Sequence, residues 1–185
     1  MSKKIVITGG IGYIGTELCK IYSGISWNNE ILVIDNRFVS ERVNQLRNWG
    51  IEYIHGDILD KDLVKTHCKD ADIVHHLAGI TDVPRVKSES NIEKDKQIQL
   101  VGEKGTQNII EAVNKNCKII FPSTHVVYEG IEKVKNDILE DEETKPVLSY
   151  AQSKATNEKQ LKNSGKNYII LRLGSVYGYS TDTAR

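Results

Sequence analysis

The stretch Lys4-Ile5-Val6-Ile7-Thr8-Gly9-Gly10-Ile11-Gly12-Tyr13-Ile14-Gly15 constrains this chain more than any other. A short β-branched run stops at a threonine, and Gly9, Gly12 and Gly15 follow at intervals of three. The pattern then turns helical through Thr16, Glu17, Leu18, Cys19 and Ile21. Strand, glycine turn and helix start, in that order, make a seat for a pyrophosphate. Glycines let the backbone turn tightly and come close to a ligand, and the free N–H groups at the positive end of the helix dipole face the anion. The spacing is G-x-x-G-x-x-G rather than G-x-G-x-x-G, and a glycine triplet alone also serves as a plain turn. Asp35 separates the two readings. It ends a second apolar run, Ile31-Leu32-Val33-Ile34, and an acid about 20 residues past such a turn is what a dinucleotide ribose calls for.

The same alternation continues. The pattern predicts strands at Glu30–Asp35, Ile51–His55, Asp72–Leu77, Cys117–Phe121 and Asn167–Leu173. Helices are expected from a Ser40 cap through Trp49, from an Asp60 cap to Lys69, over Asn91–Asn114, and from Ser149 to Asn163. The Asp72–Leu77 run is apolar apart from His75 and His76, as a strand buried on both faces must be. A polar stretch, Thr81 to Ser90, and a highly charged one, Glu129 to Pro146, read as loops, the second as a surface excursion. Strands alternating with helices imply a parallel sheet with right-handed crossovers, hence a doubly wound α/β fold of at least six strands. Ligands of such sheets lie at the carboxyl ends of the strands, where Gly9, Asp35, Asp57, Ala78 and Thr124 fall.

Composition narrows the partners. The 185 residues are 39% hydrophobic with a formal net charge of zero, enough for one good core and without a basic surface for nucleic acid or anionic membranes. Neither an apolar run of membrane-spanning length nor the apolar core of a signal peptide is present. Cys19, Cys68 and Cys117 are far apart and form no C-x-x-C, so buried thiols in a reduced, cytoplasmic setting are expected. His75 and His76 are neighbours on a strand and point to opposite faces, which argues against a shared metal.

Tyr150 and Lys154 stand four apart in Ser149-Tyr150-Ala151-Gln152-Ser153-Lys154, on one face of a helix. An ammonium near a phenol favours the phenolate, which makes tyrosine a usable general base near neutral pH. Thr124, at the end of the fifth strand, adds a hydroxyl. Beside a nicotinamide, hydroxyl, phenol and ammonium form a device for taking a proton from an alcohol while its carbon gives up hydride. Gly102 and Gly105, inside a predicted helix, are costly by propensity and read as points of close packing.

Taken together, these pieces resemble the extended short-chain dehydrogenase/reductases, in the NAD-dependent nucleotide-sugar epimerase/dehydratase group. The matching residues are Thr8 to Gly15; Asp35; Gly56-Asp57-Ile58; His76-Leu77-Ala78-Gly79; Ser123-Thr124 before Val127-Tyr128; Tyr150 with Lys154; and Leu171-Arg172-Leu173-Gly174-Ser175-Val176-Tyr177-Gly178. They run through nearly the whole chain in family order. The resemblance implies a Rossmann-type fold with NAD held by Gly9, Gly12, Tyr13, Ile14, Gly15, Asp35, Asn36, Asp57, Ile58, Leu77, Ala78, Gly79, Tyr150 and Lys154. Within that set Asp35 would bind the adenosine ribose, Asp57 and Ile58 the adenine, and Lys154 the nicotinamide ribose. Thr124, Tyr150 and Lys154 would be catalytic, with Thr81, His125 and Ser175 on the substrate side and no metal. Arg37, close behind Asp35, could instead meet a 2′-phosphate, but the charge of Asp35 opposes it.

Departures from the family pattern bear on the reaction. His125 and Val126 stand where the dehydratases carry an acidic pair, which disfavours sugar 4,6-dehydration. Gly102 replaces an asparagine of the N-V-x-G-T helix motif, and Ser175 and Tyr179 replace an asparagine and a proline of the last motif. The resemblance therefore implies a nucleotide-sugar epimerase, most simply a 4-epimerase, working by transient oxidation of a sugar hydroxyl. A dehydrogenase, reductase or decarboxylase on a similar sugar is the alternative within the family, and a non-catalytic NAD(P) sensor or scaffold the alternative outside it. Family members also carry a smaller C-terminal substrate domain, so residues 1–185 are expected to be the NAD-binding half only. The helices Asn91–Asn114 and Ser149–Asn163 are those that would pair in a family homodimer.

Overall fold

In the computed structural model, residues 2–25, 28–81, 91–132 and 136–178 are described. Six strands, β1 (Lys4–Thr8), β2 (Glu30–Asp35), β3 (Glu52–His55), β4 (Ile73–His76), β5 (Lys118–Thr124) and β6 (Asn167–Leu173), form one parallel sheet in the order β3-β2-β1-β4-β5-β6. Five helices connect them: α1 (Tyr13–Gly24), α2 (Ser40–Asn48), α3 (Lys61–Cys68), α4 (Ile92–Ala112) and α5 (Ser149–Asn163). The strand order reverses between β1 and β4, which opens a crevice above their carboxyl ends.

Two apolar layers flank the sheet. Ile5, Ile7, Cys19, Val33 and Leu46 pack on the side of α1 and α2; Val6, Val74, Ile109, Ile119, Phe121 and Leu161 pack on the other. Alternate residues of β1 thus feed opposite layers, as a strand covered on both faces requires. On α2, Val43 and Leu46 are buried, and Trp49, just past its end, packs on the same apolar layer as Leu46. Asp60 caps α3 through the N–H groups of Asp62 and Leu63, at 3.1 and 3.0 Å.

Two local expectations are corrected. Ser40 is not the cap of α2: Val39 holds that position, and the Ser40 hydroxyl donates to Glu41 at 3.2 Å. The fifth strand does not stop at Phe121 but runs on through Pro122, Ser123 and Thr124, paired with Leu171, Arg172 and Leu173 of β6. By then β4 has ended, so the missing N–H of Pro122 breaks no ladder on that side. Of the two predicted loops, residues 82–90 and 133–135 lie outside the described set. Among the described residues, no helix is long and apolar enough to cross a membrane.

Candidate functional site

The glycine turn lies at the mouth of the crevice. Gly9 has φ +71°, a left-handed conformation that favours glycine. A β-carbon there would stand 2.8 Å from the Ala78 nitrogen, and one on Gly15 would stand 2.4 Å from the Gly9 carbonyl oxygen. The turn is therefore folded onto both the segment after β4 and the first turn of α1. Gly10, unremarked in the sequence, packs on the Val33 side chain in the same tight manner. Gly12 occupies the N-cap of α1 and brings no capping side chain, and the first turn carries no acid. The Thr16 hydroxyl, buried one turn in, has no hydrogen-bond partner among the described residues. An uncapped helix start with an orphaned hydroxyl behind it suits a bound anion.

Asp35, at the end of β2, is buried and accepts from the N–H groups of Ile11 at 3.2 Å and Arg37 at 3.0 Å. The acid is thus bound to the glycine turn itself. Arg37 reaches back to the same carboxylate, at 3.7 Å. Asn36 donates to Asp57 at 3.1 Å, joining the ends of β2 and β3. Ile58 is buried, its side chain against Gly105 of α4, and its carbonyl accepts from Asn108 at 2.9 Å. Gly105 is a point of close packing, as expected, and so is Gly102, where an added β-carbon would meet the Ser153 hydroxyl at 2.1 Å.

Beyond β4, Ala78 and Gly79 line a pocket that also takes in Phe121, Tyr150 and Lys154. Leu77, grouped with them from sequence, is partly buried and packs on the layer under α1 and α2. The Thr8 hydroxyl accepts from the Ala78 N–H at 3.2 Å and is bonded to His76 Nδ1 at 2.9 Å, while His76 Nε2 meets the Thr106 hydroxyl at 3.1 Å. His75 faces the other way, to the Tyr22 hydroxyl at 2.7 Å. Burial pushes His75 down to about 4 and His76, helped by the Lys154 charge, down to about 3. Both imidazoles are neutral and structural.

Tyr150 and Lys154 share a face of α5 and the same pocket. The Lys154 ammonium donates to the Pro122 carbonyl at 2.8 Å, lies 4.4 Å from the Phe121 ring centre, and stands 5.9 Å from that of Tyr150. Burial pushes its amine down to about 8, against an upward pull from Glu158. Burial also raises the Tyr150 phenol above its ordinary value. Helical spacing alone predicts a phenol lowered by its lysine. In this arrangement the ammonium is turned to β5 and does not offset the burial of the ring.

Thr124 caps the short turn His125–Tyr128, its hydroxyl accepting from the Val126 N–H at 3.3 Å, and it is not among the residues lining the Tyr150 pocket. His125 is turned to the Leu173 carbonyl, 3.2 Å away. Thr81 and Ser175 are exposed. Ile14 is half-exposed at the start of α1, and the Tyr13 hydroxyl donates to the Gly178 carbonyl at 2.9 Å, joining the first and last motifs. Tyr179 lies outside the described residues.

The sequence reading missed a buried polar cluster behind this site. Glu158 accepts from Ser123 at 2.6 Å and from Arg172 at 3.0 and 2.6 Å, and Arg172 also bonds the Tyr128 hydroxyl and the Glu140 carbonyl. Tyr150, Lys154 and Glu158 at successive turns of one helix were the available signal.

Comparisons with known proteins bear on the fold and the family. The profile of the 3-beta hydroxysteroid dehydrogenase/isomerase family matches residues 6–180. A putative UDP-glucose 4-epimerase of Methanocaldococcus jannaschii is 32% identical over 185 residues, covering 96% of this chain and 57% of its own length. The UDP-N-acetylglucosamine 4-epimerase of Methanobrevibacter ruminantium M1, solved with UDP-N-acetylmuramic acid, is 29% identical with a TM-score of 0.76, covering 92% of this chain and 54% of that one. WbmH of Bordetella bronchiseptica, solved with NAD+, is 27% identical with a TM-score of 0.78, covering 96% and 57%. The chain thus spans a little over half the length of these relatives.

Proposed function

This chain belongs to the extended short-chain dehydrogenase/reductases matched by the 3-beta hydroxysteroid dehydrogenase/isomerase profile, and from that premise we propose that it is the NAD-binding and proton-handling part of a nucleotide-sugar 4-epimerase. The observation that carries the reading is the common pocket of Ala78, Gly79, Tyr150 and Lys154, one strand away from an uncapped glycine turn. The NAD in WbmH and the 4-epimerase activity named for two relatives support it.

Residues 1–185 would bind the cofactor as follows. The first N–H groups of α1 and the orphaned Thr16 hydroxyl hold the pyrophosphate, Asp35 the adenosine ribose, and Asn36 with Asp57 the edge of the adenine. The bound nicotinamide supplies a reversible hydride acceptor. Tyr150 takes the proton of a sugar hydroxyl and returns it once the keto-sugar has turned its other face. To do so the phenol must first be lowered, and Lys154 is the cation lining the pocket that can lower it. Such a cycle is redox-neutral and suits a cofactor that stays bound. Dehydration is the weaker reading, because His125 and Val126 supply no acid after Thr124 and His125 is turned to β6.

The setting and assembly follow as part of the same proposal. Three free, buried thiols, Cys19, Cys68 and Cys117, fit a reducing cytoplasm. A homodimer would form on α4 and α5, where Ile92 and Leu100 of α4 stand exposed. Calorimetric titration with NAD+ tests the core of the reading. Saturable binding of NAD+, weakened at least tenfold by Asp35→Ala, is expected, and a chain that binds no NAD+ contradicts it.

A further inference from the structure

Glu158 is buried, with 2% of its surface exposed, and carries a carboxylate held from three directions. Ser123 of β5 donates to one oxygen at 2.6 Å, and Arg172 of β6 donates to both, at 3.0 and 2.6 Å. Lys162, one turn on, adds a longer contact of 3.7 Å. Ser123 and Arg172 are register partners across the β5–β6 ladder, so two neighbouring strands grip one helical side chain at the same level. One turn earlier on the same face of α5, Lys154 donates to the carbonyl of Pro122, the residue before Ser123. Consecutive residues of β5 thus receive successive turns of α5, and the next residue is Thr124.

This double attachment fixes both the rotation of α5 and its height above the strand. Breaking either bond would let the helix turn or slide, and Tyr150, one further turn along, would move with it. Arg172 extends the attachment outward through the Tyr128 hydroxyl and the Glu140 carbonyl, so the residue just before the charged excursion and one within it are tied to the same point. Burial raises the Glu158 carboxyl, but the bonds from Arg172 and Ser123 outweigh it and hold the group below its ordinary value. The cluster is therefore ionised throughout the neutral range.

We propose that Glu158 is the positioning residue of this site, fixing Tyr150 and Lys154 against the end of β5 through Ser123 and Arg172. It is not among the residues lining the pocket that holds Tyr150 and Lys154. The proposal rests on the reading of Tyr150 and Lys154 as the proton-handling pair, and its test is arranged so that the two can fail separately. The groups facing Lys154 are Tyr150 and Glu158 from α5, His76 from β4, the Phe121 ring and Pro122 carbonyl from β5, and the uncharged Gly102 and Thr106 of α4. His76 is neutral above about 3, so Glu158 is the anion in that set whose removal Lys154 would register.

The experiment is an NMR titration of the Lys154 ε-methylene in the 185-residue chain, assigned with Lys154→Arg, alongside NAD+ titration of the same samples. The midpoint near 8 is expected to move to lower pH in Glu158→Gln and to recover toward the original value in Glu158→Asp, which restores the charge. Because Glu158→Gln leaves Arg172 buried without its anion, the double variant Glu158→Gln/Arg172→Met removes the pair together and should shift the midpoint in the same direction. Midpoints unchanged in folded variants overturn the positioning role while leaving the cofactor reading intact. Failure of the unsubstituted chain to bind NAD+ overturns the cofactor reading instead, whatever the lysine does.

Discussion

Gly9 and Ala78 meet where the sheet reverses direction: a β-carbon on Gly9 would lie 2.8 Å from the Ala78 backbone nitrogen. The contact joins the turn after β1 to the segment after β4, and those two segments form the walls of the crevice. Gly9→Ala must adopt φ +71°, which costs about 1–2 kcal/mol, and must also push the Ala78 segment away. Urea unfolding should show at least that loss, and NAD+ affinity should fall at least tenfold. A substituted chain as stable and as avid as the original would remove the turn from the site.

The glycines differ in what confines them, which gives a second prediction. An added β-carbon would meet backbone of the Gly9-Gly10 turn at Gly15 but the tip of the Ile58 side chain at Gly105, at similar distances of 2.4 and 2.3 Å. Backbone cannot rotate aside; an isoleucine methyl can. Gly105→Ala also gains up to ~1 kcal/mol of helix propensity. Gly15→Ala should therefore unfold at clearly lower urea concentration than Gly105→Ala. Equal midpoints would contradict the distinction.

Much of this architecture was legible because it rests on local chemistry. The strand–turn–helix at Gly9 to Gly15, the Asp60 cap and the opposed His75 and His76 each follow from spacing within a few residues. What escaped depends on distant partners. Phe121 looked like a strand end because Pro122 cannot donate, yet β6 carries the pairing on to Thr124. Glu158 and Arg172 are 14 residues apart, and neither has a local reason to be buried. The direction of Lys154 was missed for the same reason: helical spacing places it beside Tyr150, but the carbonyl of Pro122 decides where its ammonium points.

Acid should unfold this chain through its buried imidazoles. An unfolded histidine titrates near 6.5, whereas His75 and His76 accept a proton only at about 4 and 3. Their folded values lie below the unfolded one, so stability is complete above about 6.5 and declines as pH falls, by about 2 kcal/mol per imidazole at pH 5. Denaturation at pH 7 and pH 5 should show the difference, and His76→Gln should remove roughly half of the slope. A flat profile in the unsubstituted chain would contradict the burial of these rings as neutral groups.

Tyr150→Phe keeps the ring and removes the acidic hydroxyl. NAD+ affinity is expected to stay within about threefold, since the diphosphate and adenosine contacts lie elsewhere. Any interconversion of nucleotide sugars, followed by sugar analysis and by absorbance of the reduced nicotinamide, should fall by at least the 100-fold typical of a lost general base. Undiminished turnover would take tyrosine out of the chemistry.

On this proposal the glycine turn and the Tyr150–Lys154 pair serve one bound nucleotide. A crystal structure of this chain grown with NAD+ tests it most directly. The diphosphate is expected on the N-terminus of α1, with the Lys154 ammonium turned from the Pro122 carbonyl toward the nicotinamide ribose and the Tyr150 hydroxyl within hydrogen-bonding reach of that ribose. A nicotinamide ring lying away from α5, with Lys154 still bonded to Pro122, would contradict it.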